Sequence, residues 1–398
     1  MLVVHSYPFI YEDLILREDL FILIVGSTGT GKTNDALYMI DVLSRNGYPV
    51  LVIDPKGEYK KRFSSEDMAV YHFDYGENMF LWNPLQPPSG VKPSVWVRAF
   101  SDVFTRVYGL SDPSRRILHQ ILEKLYAKYG VYENSGFYPT LRELERAVSR
   151  FKPGSRSEAD SKRALENRLY LVNYGNVGDA LNVPQSIDLS YLYEDVNILD
   201  LSAVSSVRDQ QLIVELLIGA ILEHRKVNPW SKALNIIIEE AHRFVPEVKE
   251  RFISERNLIE LAVAEGRSYG LRFIVLDQTP SLLSRQVMAN CGIKIIHRLD
   301  SYEDIKLIIK IVGVLEDDLA SIENIARMDT GKAVITHPKA SSNTILRFDM
   351  LKTPIEMPKY MRKRKLIIKR KVRRKHVVRK ELRIILSLYS EPANEIAL

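Results

Sequence analysis

Cysteine is almost absent from this chain: Cys291 is the single one in 398 residues. No internal disulfide can form, which fits a reducing compartment, and Cys291 sits beside an apolar run where a buried thiol is expected. Long apolar stretches are missing as well, none approaching the roughly 18 residues that a membrane span needs. The opening Met1-Leu2-Val3-Val4-His5-Ser6-Tyr7-Pro8 lacks the basic flank and cleavage pattern of a secretory signal. A cytoplasmic protein with no membrane span is expected. Acidic residues are scarce at one end only. Lys359–Arg383 holds 14 Lys or Arg and one acid, Glu381; subtracting its +13 from the total of +6 leaves −7 for the rest. The basic block has no interleaved aromatic beyond Tyr360, which argues against stacking on single strands. Several neutralised phosphates would instead give salt-sensitive, sequence-independent DNA contact.

What is present begins with Gly26-Ser27-Thr28-Gly29-Thr30-Gly31-Lys32-Thr33, set between the apolar run Leu20–Val25 and a helical pattern over Lys32–Arg45. Strand, glycine-rich loop and helix in that order define a phosphate-binding loop. The glycines let backbone N–H groups turn inward, and the helix N-terminus adds positive potential. Lys32 is expected on the outer phosphates of ATP, and the Thr33 hydroxyl on Mg²⁺.

A second signal is Ile236-Ile237-Ile238-Glu239-Glu240, an apolar strand ending in two carboxylates. A nucleotide hydrolase uses one such acid to hold the metal through water and another to orient or deprotonate the attacking water. Glu239 is read as the metal-side acid and Glu240 as the base. Adjacent strand residues point to opposite faces, so both serve one site only if the strand stops there. His242 has no Cys or His partners at ligand spacing, so it is read as a packing or supporting residue. The third signal is Gln278, at the end of the strand Leu271–Leu276, where an amide can sense the γ-phosphate or its water. Arg267 is the first candidate for a charge-neutralising finger acting on a neighbouring subunit's nucleotide, with Arg285 and Arg298 as alternatives.

Short apolar runs at 49–53, 69–73, 196–200, 233–238, 271–276 and 292–297 alternate with helical stretches, including 207–225, 250–269 and 301–312. This predicts an α/β protein with a mostly parallel sheet covered on both faces. Between about 91 and 180 the periodicity is helical, with helices near 93–108, 113–129, 140–151 and 157–173 and a capping box at Thr140 and Glu143. The block reads as a helical insertion within a core over 1–352, followed by the basic tail 353–398.

Taken in order, GSTGTGKT, LVIDPKGEY, NPLQPP, IIIEEAHRFVP, EGRSYGLRFIVLDQTPS and IKIIHRL resemble the HerA–FtsK superfamily of RecA-like P-loop motor ATPases, the HerA branch most closely. The resemblance covers roughly residues 20–350. It implies a RecA-like fold, ATP and Mg²⁺ as cofactors, double-stranded DNA as partner, and a homo-oligomeric, hexameric ring that translocates DNA. It places Lys32 and Thr33 in Walker A, Glu239 and Glu240 in Walker B, and Asp54 with Lys56 near the nucleotide or the channel. Only some twenty residues precede the first strand, so the nuclease-docking barrel of many HerA proteins is not expected; this points towards a plasmid- or virus-encoded relative, its nuclease, packaging or conjugation partner unnamed by the sequence. The alternative is a conjugation or secretion ATPase moving protein or nucleoprotein. A P-loop switch or small-molecule kinase fits less well, because paired glutamates and a downstream Gln suit steady hydrolysis.

Overall fold

A computed structural model of the chain describes residues 2–3, 12, 14–17, 21–61, 69–76, 78–229, 232–248, 257–312, 319–336 and 344–347. The expected basic tail at 353–398 and the start of the helical stretch at 250–269 lie outside these residues. Ten strands form one sheet: β1 (Leu2–Val3), β2 (Ile22–Val25), β3 (Val50–Asp54), β4 (Ala69–His72), β5 (Val196–Asp200), β6 (Leu234–Ile238), β7 (Leu271–Asp277), β8 (Ile293–Ile296), β9 (Lys332–Thr336) and β10 (Thr344–Arg347). Their order is β1-β10-β9-β8-β2-β7-β6-β3-β5-β4. The seven strands from β8 to β4 are mutually parallel, and β9 turns antiparallel on β8.

The central strands are apolar at nearly every position because both faces are covered. Alternate residues divide between two cores. Ile22, Ile24, Val50, Val52, Ile237, Ile274 and Leu276 meet Ala36, Met39, Ile40 and Leu43 of α1 (Lys32–Arg45). Leu23, Val25, Leu51, Ile53, Ile236, Ile238 and Val275 face the other way. There they join α7 (Val207–Val227), a helix buried nearly all round.

Helices α2 (Pro93–Val107), α3 (Asp112–Lys128), α4 (Leu141–Arg150), α5 (Arg156–Val172) and α6 (Gly175–Leu181) lie between β4 and β5 in the chain, and α2 packs on α7. The expected capping box at Thr140 and Glu143 is present. The short α6 is a helix that periodicity missed, as are α11 (Leu319–Ala326) and the pair β9–β10, which follow α8 (Leu258–Glu265), α9 (Arg285–Asn290) and α10 (Tyr302–Val312). The Asn83–Pro88 segment anchors this block, Asn83 donating to the Pro139 carbonyl at 3.0 Å and the Trp96 indole to that of Pro84 at 2.9 Å. Cys291 is buried, and burial pushes its thiol up to about 12. Among the described residues no helix is long and apolar enough to cross a membrane.

One buried charge ties the helical block to the core. Glu215 of α7 is fully buried, pairs with Arg106 of α2, and accepts the Leu258 N–H at 2.8 Å. Burial pushes its carboxyl up to about 7, against the pull of Arg106 and of that N–H. Removing one partner of a buried pair strands the other charge. Arg106→Ala is therefore expected to lower stability by about 3–5 kcal/mol at pH 8, read as a denaturant midpoint. The loss should shrink at pH 5, where a protonated Glu215 carries no charge to strand.

Candidate active site

The site lies along the C-terminal edge of the parallel strands, where β2, β7 and β6 stand side by side. The Gly26–Gly31 loop leaves β2 and enters α1. Gly29 and Gly31 take φ of 78° and 125°, values that side-chain-bearing residues seldom adopt. Gly26 has no room for more: a Cβ there would fall 2.6 Å from His297 Cβ and 2.7 Å from Thr30 Oγ1. Gly31 caps α1 with no side-chain acceptor, so the first N–H groups of the helix face the loop hollow. The loop is pinned from outside by Ser27 N–H on the Arg298 carbonyl at 2.8 Å and Gly331 N–H on the Thr30 carbonyl at 3.1 Å. Asp35 and His297 brace it below, Oδ2 to Nε2 at 2.8 Å with both side chains buried.

Lys32 is only 5% exposed, and its ammonium donates to the Gly26 and Ser27 carbonyls at 2.6 and 3.0 Å. Burial lowers its pKa, while Glu239, Asp277 and Glu240 act to hold the proton on. Thr33 follows in the first turn of α1, half-buried.

Glu239 and Glu240 come directly after β6 ends at Ile238, as two acids serving one site require. The backbone makes the adjustment: Glu240 has φ 52° and ψ 48°, a left-handed turn that swings it out of strand alternation. Glu239 accepts from the Tyr59 hydroxyl at 2.7 Å, and burial pushes its carboxyl up to about 7 against that bond and Lys32. Glu240 is held by Lys56 at 2.7 Å, Arg243 at 3.2 Å and the Gln278 amide. Burial raises its pKa, but Lys56, Arg243 and His242 outweigh it and leave the carboxyl below its ordinary value.

Gln278 closes the circuit. Its amide nitrogen donates to Glu240 Oε1, and its oxygen accepts from Thr28 Oγ1 of the loop at 2.8 Å. The strand carrying it, β7, sits between the loop strand and the carboxylate strand. One hydrogen-bonded chain thus runs from the phosphate loop through Gln278 to Glu240 and on to Lys56. His242 donates its N–H to Asp277 at 2.7 Å and sets its ring nitrogen 3.0 Å from the same carboxylate, which raises the imidazole pKa.

The arginine candidates are scattered. Arg267 precedes β7 at its N-terminal end, stacked 5.3 Å over Phe21 and exposed. Seven residues of β7 separate it from Gln278, about 20 Å of strand, so it cannot reach its own loop. Arg285 pairs with Glu247, and the Arg298 carbonyl holds Ser27. Sequence reasoning gave Lys56 no definite partner and did not single out Tyr59, Asp35 or His297. Their only signal is the position of Asp54–Tyr59 after a buried strand, and of His297 after another.

This fold and loop define a P-loop NTPase of RecA-like architecture. The description helicase HerA, central domain, fits residues 21–221. The chain belongs to that family. It is 24% identical over 375 residues to the probable DNA double-strand break repair helicase HerA of Methanocaldococcus jannaschii, covering 82% of this chain and 71% of that one. The DNA double-strand break repair helicase HerA of Saccharolobus solfataricus is 25% identical over 337 residues, covering 82% and 63%. Among solved structures, VirB4 of Thermoanaerobacter pseudethanolicus superposes with a TM-score of 0.64 at 15% identity, over 84% of this chain and 91% of that one. The plasmid coupling protein TrwB with a non-hydrolysable GTP analogue gives 0.62 at 13%, over 86% and 88%.

The donor set suits Mg²⁺, which takes hard oxygen ligands and keeps several waters: the Thr33 hydroxyl in the first turn of α1 and the buried Glu239 carboxylate, whose charge acts on Lys32, are both oxygen donors. A Glu239 that held the metal would have to be ionised to do so, and affinity for Mg²⁺-nucleotide should then fall as pH drops through about 7. Tyr59→Phe removes a bond that favours the ionised form and moves this acid limb upward. At pH 6.5 the variant is expected to bind Mg²⁺-ATP about five- to tenfold more weakly, and at pH 8.5 nearly as the parent does, by fluorescent-nucleotide titration.

Proposed function

We propose that this chain is an ATP-driven motor that couples hydrolysis to translocation on double-stranded DNA, working as a homo-oligomeric, hexameric ring. The observation that carries the reading is the Thr28–Gln278–Glu240 connection, which joins the loop that would hold the nucleotide to the acid that would activate water. A simple nucleotide store has no need of such a link.

In this reading the Gly26–Thr33 backbone and Lys32 take the phosphates of ATP, with the ammonium leaving the loop carbonyls for the outer phosphates. Bound Mg²⁺, held by Thr33 directly and by Glu239 through water, would neutralise charge on the phosphates. Glu240 accepts the proton of the attacking water, and Gln278 orients that water and reports the loss of the γ-phosphate through Thr28. Arg267 lies at the far end of its own strands, so it would complete a neighbouring subunit's site rather than its own. That requirement favours an assembly in which active sites fall at subunit boundaries. The relatives named as repair helicases supply the DNA half of the proposal. The chain spans 63% to 71% of their length.

The test is steady-state ATP hydrolysis with and without duplex DNA at low salt. Duplex DNA should stimulate the wild-type rate. Lys32→Ala should lose nucleotide binding and hydrolysis together. Glu240→Gln should keep ATP affinity and lose about 10²- to 10⁴-fold in kcat. Hydrolysis indifferent to DNA, with no DNA bound, overturns the motor on DNA and favours a protein cargo.

A further inference from the structure

Two lysines of one short turn place their charge on buried carboxylates at the ends of the two strands that flank β3. Lys56 Nζ lies 2.7 Å from Glu240 Oε1 beyond β6, and Lys60 Nζ lies 2.7 Å from Asp200 Oδ2 at the end of β5. The carboxylates are sunk, 6% and 2% exposed, whereas the lysine side chains are 37% and 43% exposed. Each ammonium therefore has one side on an acid and the other towards solvent.

The turn that presents them is rigid. Asp54 accepts the N–H groups of Lys56, Gly57 and Tyr59 at 3.2, 2.8 and 2.9 Å. Gly57, at φ 69°, seats the turn so close to Asp200 and Ser202 that a Cβ would fall 2.9 Å from Ser202 Oγ. Lys56 thus reaches Glu240 from a fixed backbone. Both oxygens of Glu240 are engaged: Oε1 accepts from Lys56 and Gln278, and Oε2 from Arg243. The acid that should serve water is occupied by the protein itself. Of its three holders, Arg243 lies three residues away on the same turn and Gln278 belongs to the nucleotide side. Lys56 alone comes from the outer turn with a half-open side chain.

We propose that Lys56 is a positioning residue that restrains Glu240 in the resting chain, and that a backbone phosphate of nucleic acid, drawn to the half-exposed ammonium, competes for it and frees Glu240 for water. Lysine contacts to phosphate are sequence-independent, so any duplex would do. Hydrolysis would then run chiefly when a subunit is engaged on its track. The proposal rests on reading Glu240 as the hydrolytic base and DNA as the track.

The test compares ATP hydrolysis, with and without duplex DNA, for the wild type, Lys56→Ala, Lys56→Arg and the double variant Lys56→Ala/Glu240→Gln. Lys56→Ala should raise the DNA-free rate about fivefold, the scale of one partly exposed ion pair, with KM for ATP unchanged and little further gain from DNA. The double variant should lose that gain, and Lys56→Arg should recover the dependence on DNA. A DNA-free rate at or below the wild-type value, or a raised KM marking Lys56 as a ligand of the nucleotide's own phosphates, overturns the proposal. If Lys56→Ala does not fold, Lys56→Met keeps the apolar stem, and amine footprinting of the unaltered chain reads the same question. Saturating duplex DNA should protect Lys56 from acylation, and unchanged acylation overturns the proposal. A wild type that neither binds nor responds to DNA overturns the motor reading. A DNA-responsive wild type whose Lys56→Ala form behaves identically overturns the Lys56 restraint alone.

Discussion

A buried ammonium facing carboxylates at the edge of a parallel sheet is the constraint on which this site depends. Lys32 is 5% exposed, and a lone charge at that depth would cost several kcal/mol. Glu239, Asp277 and Glu240, from two other strands, supply the compensating field. The acids are in turn partnered: Glu239 with Tyr59, Glu240 with Lys56, Arg243 and Gln278, and Asp277 with His242. Charge is therefore nearly balanced within the site before any substrate enters. A triphosphate with its metal brings charges of both signs, and must redistribute these partners to be accommodated. That rearrangement is a physical basis for linking nucleotide state to the surrounding strands.

The sheet makes such proximity affordable because parallel register brings every strand's C-terminal end to one edge. Val25 stands opposite Asp277, and Ile238 opposite both Val275 and Ile53. The segments that follow these residues therefore start side by side on one edge. On the same edge Asp54 shapes the turn that carries Lys56, while the His297–Asp35 pair supports the phosphate loop from beneath. The helical block stands on the opposite core, tied in by Glu215 and Arg106, and leaves the loop edge to α1 and the strand ends.

Much of this was legible in the sequence, for a definite reason. Strands covered on both faces are continuous apolar runs, so β2, β3, β5, β6, β7 and β8 stood out, and α1 spans Lys32–Arg45 as the helical pattern there has it. The antiparallel β9 was not legible, because only three of its five residues are buried and the run is too brief to separate from loop. In the site, the phosphate loop, Glu239–Glu240 and Gln278 are residue types at telling positions. Lys56 with Glu240, Tyr59 with Glu239, and His297 with Asp35 are pairs 184, 180 and 262 residues apart. No local pattern marks them; strand order and register bring them together. The left-handed backbone at Glu240 was likewise invisible, although it answers how two adjacent acids can serve one site.

The most direct measurement of a motor on duplex DNA is displacement of a fluorescent third strand annealed along the duplex, followed while ATP is hydrolysed. A translocating ring strips that strand at a rate that follows hydrolysis, and stops when ATP is replaced by a non-hydrolysable analogue. Hydrolysis stimulated by the duplex while the third strand stays in place would contradict translocation.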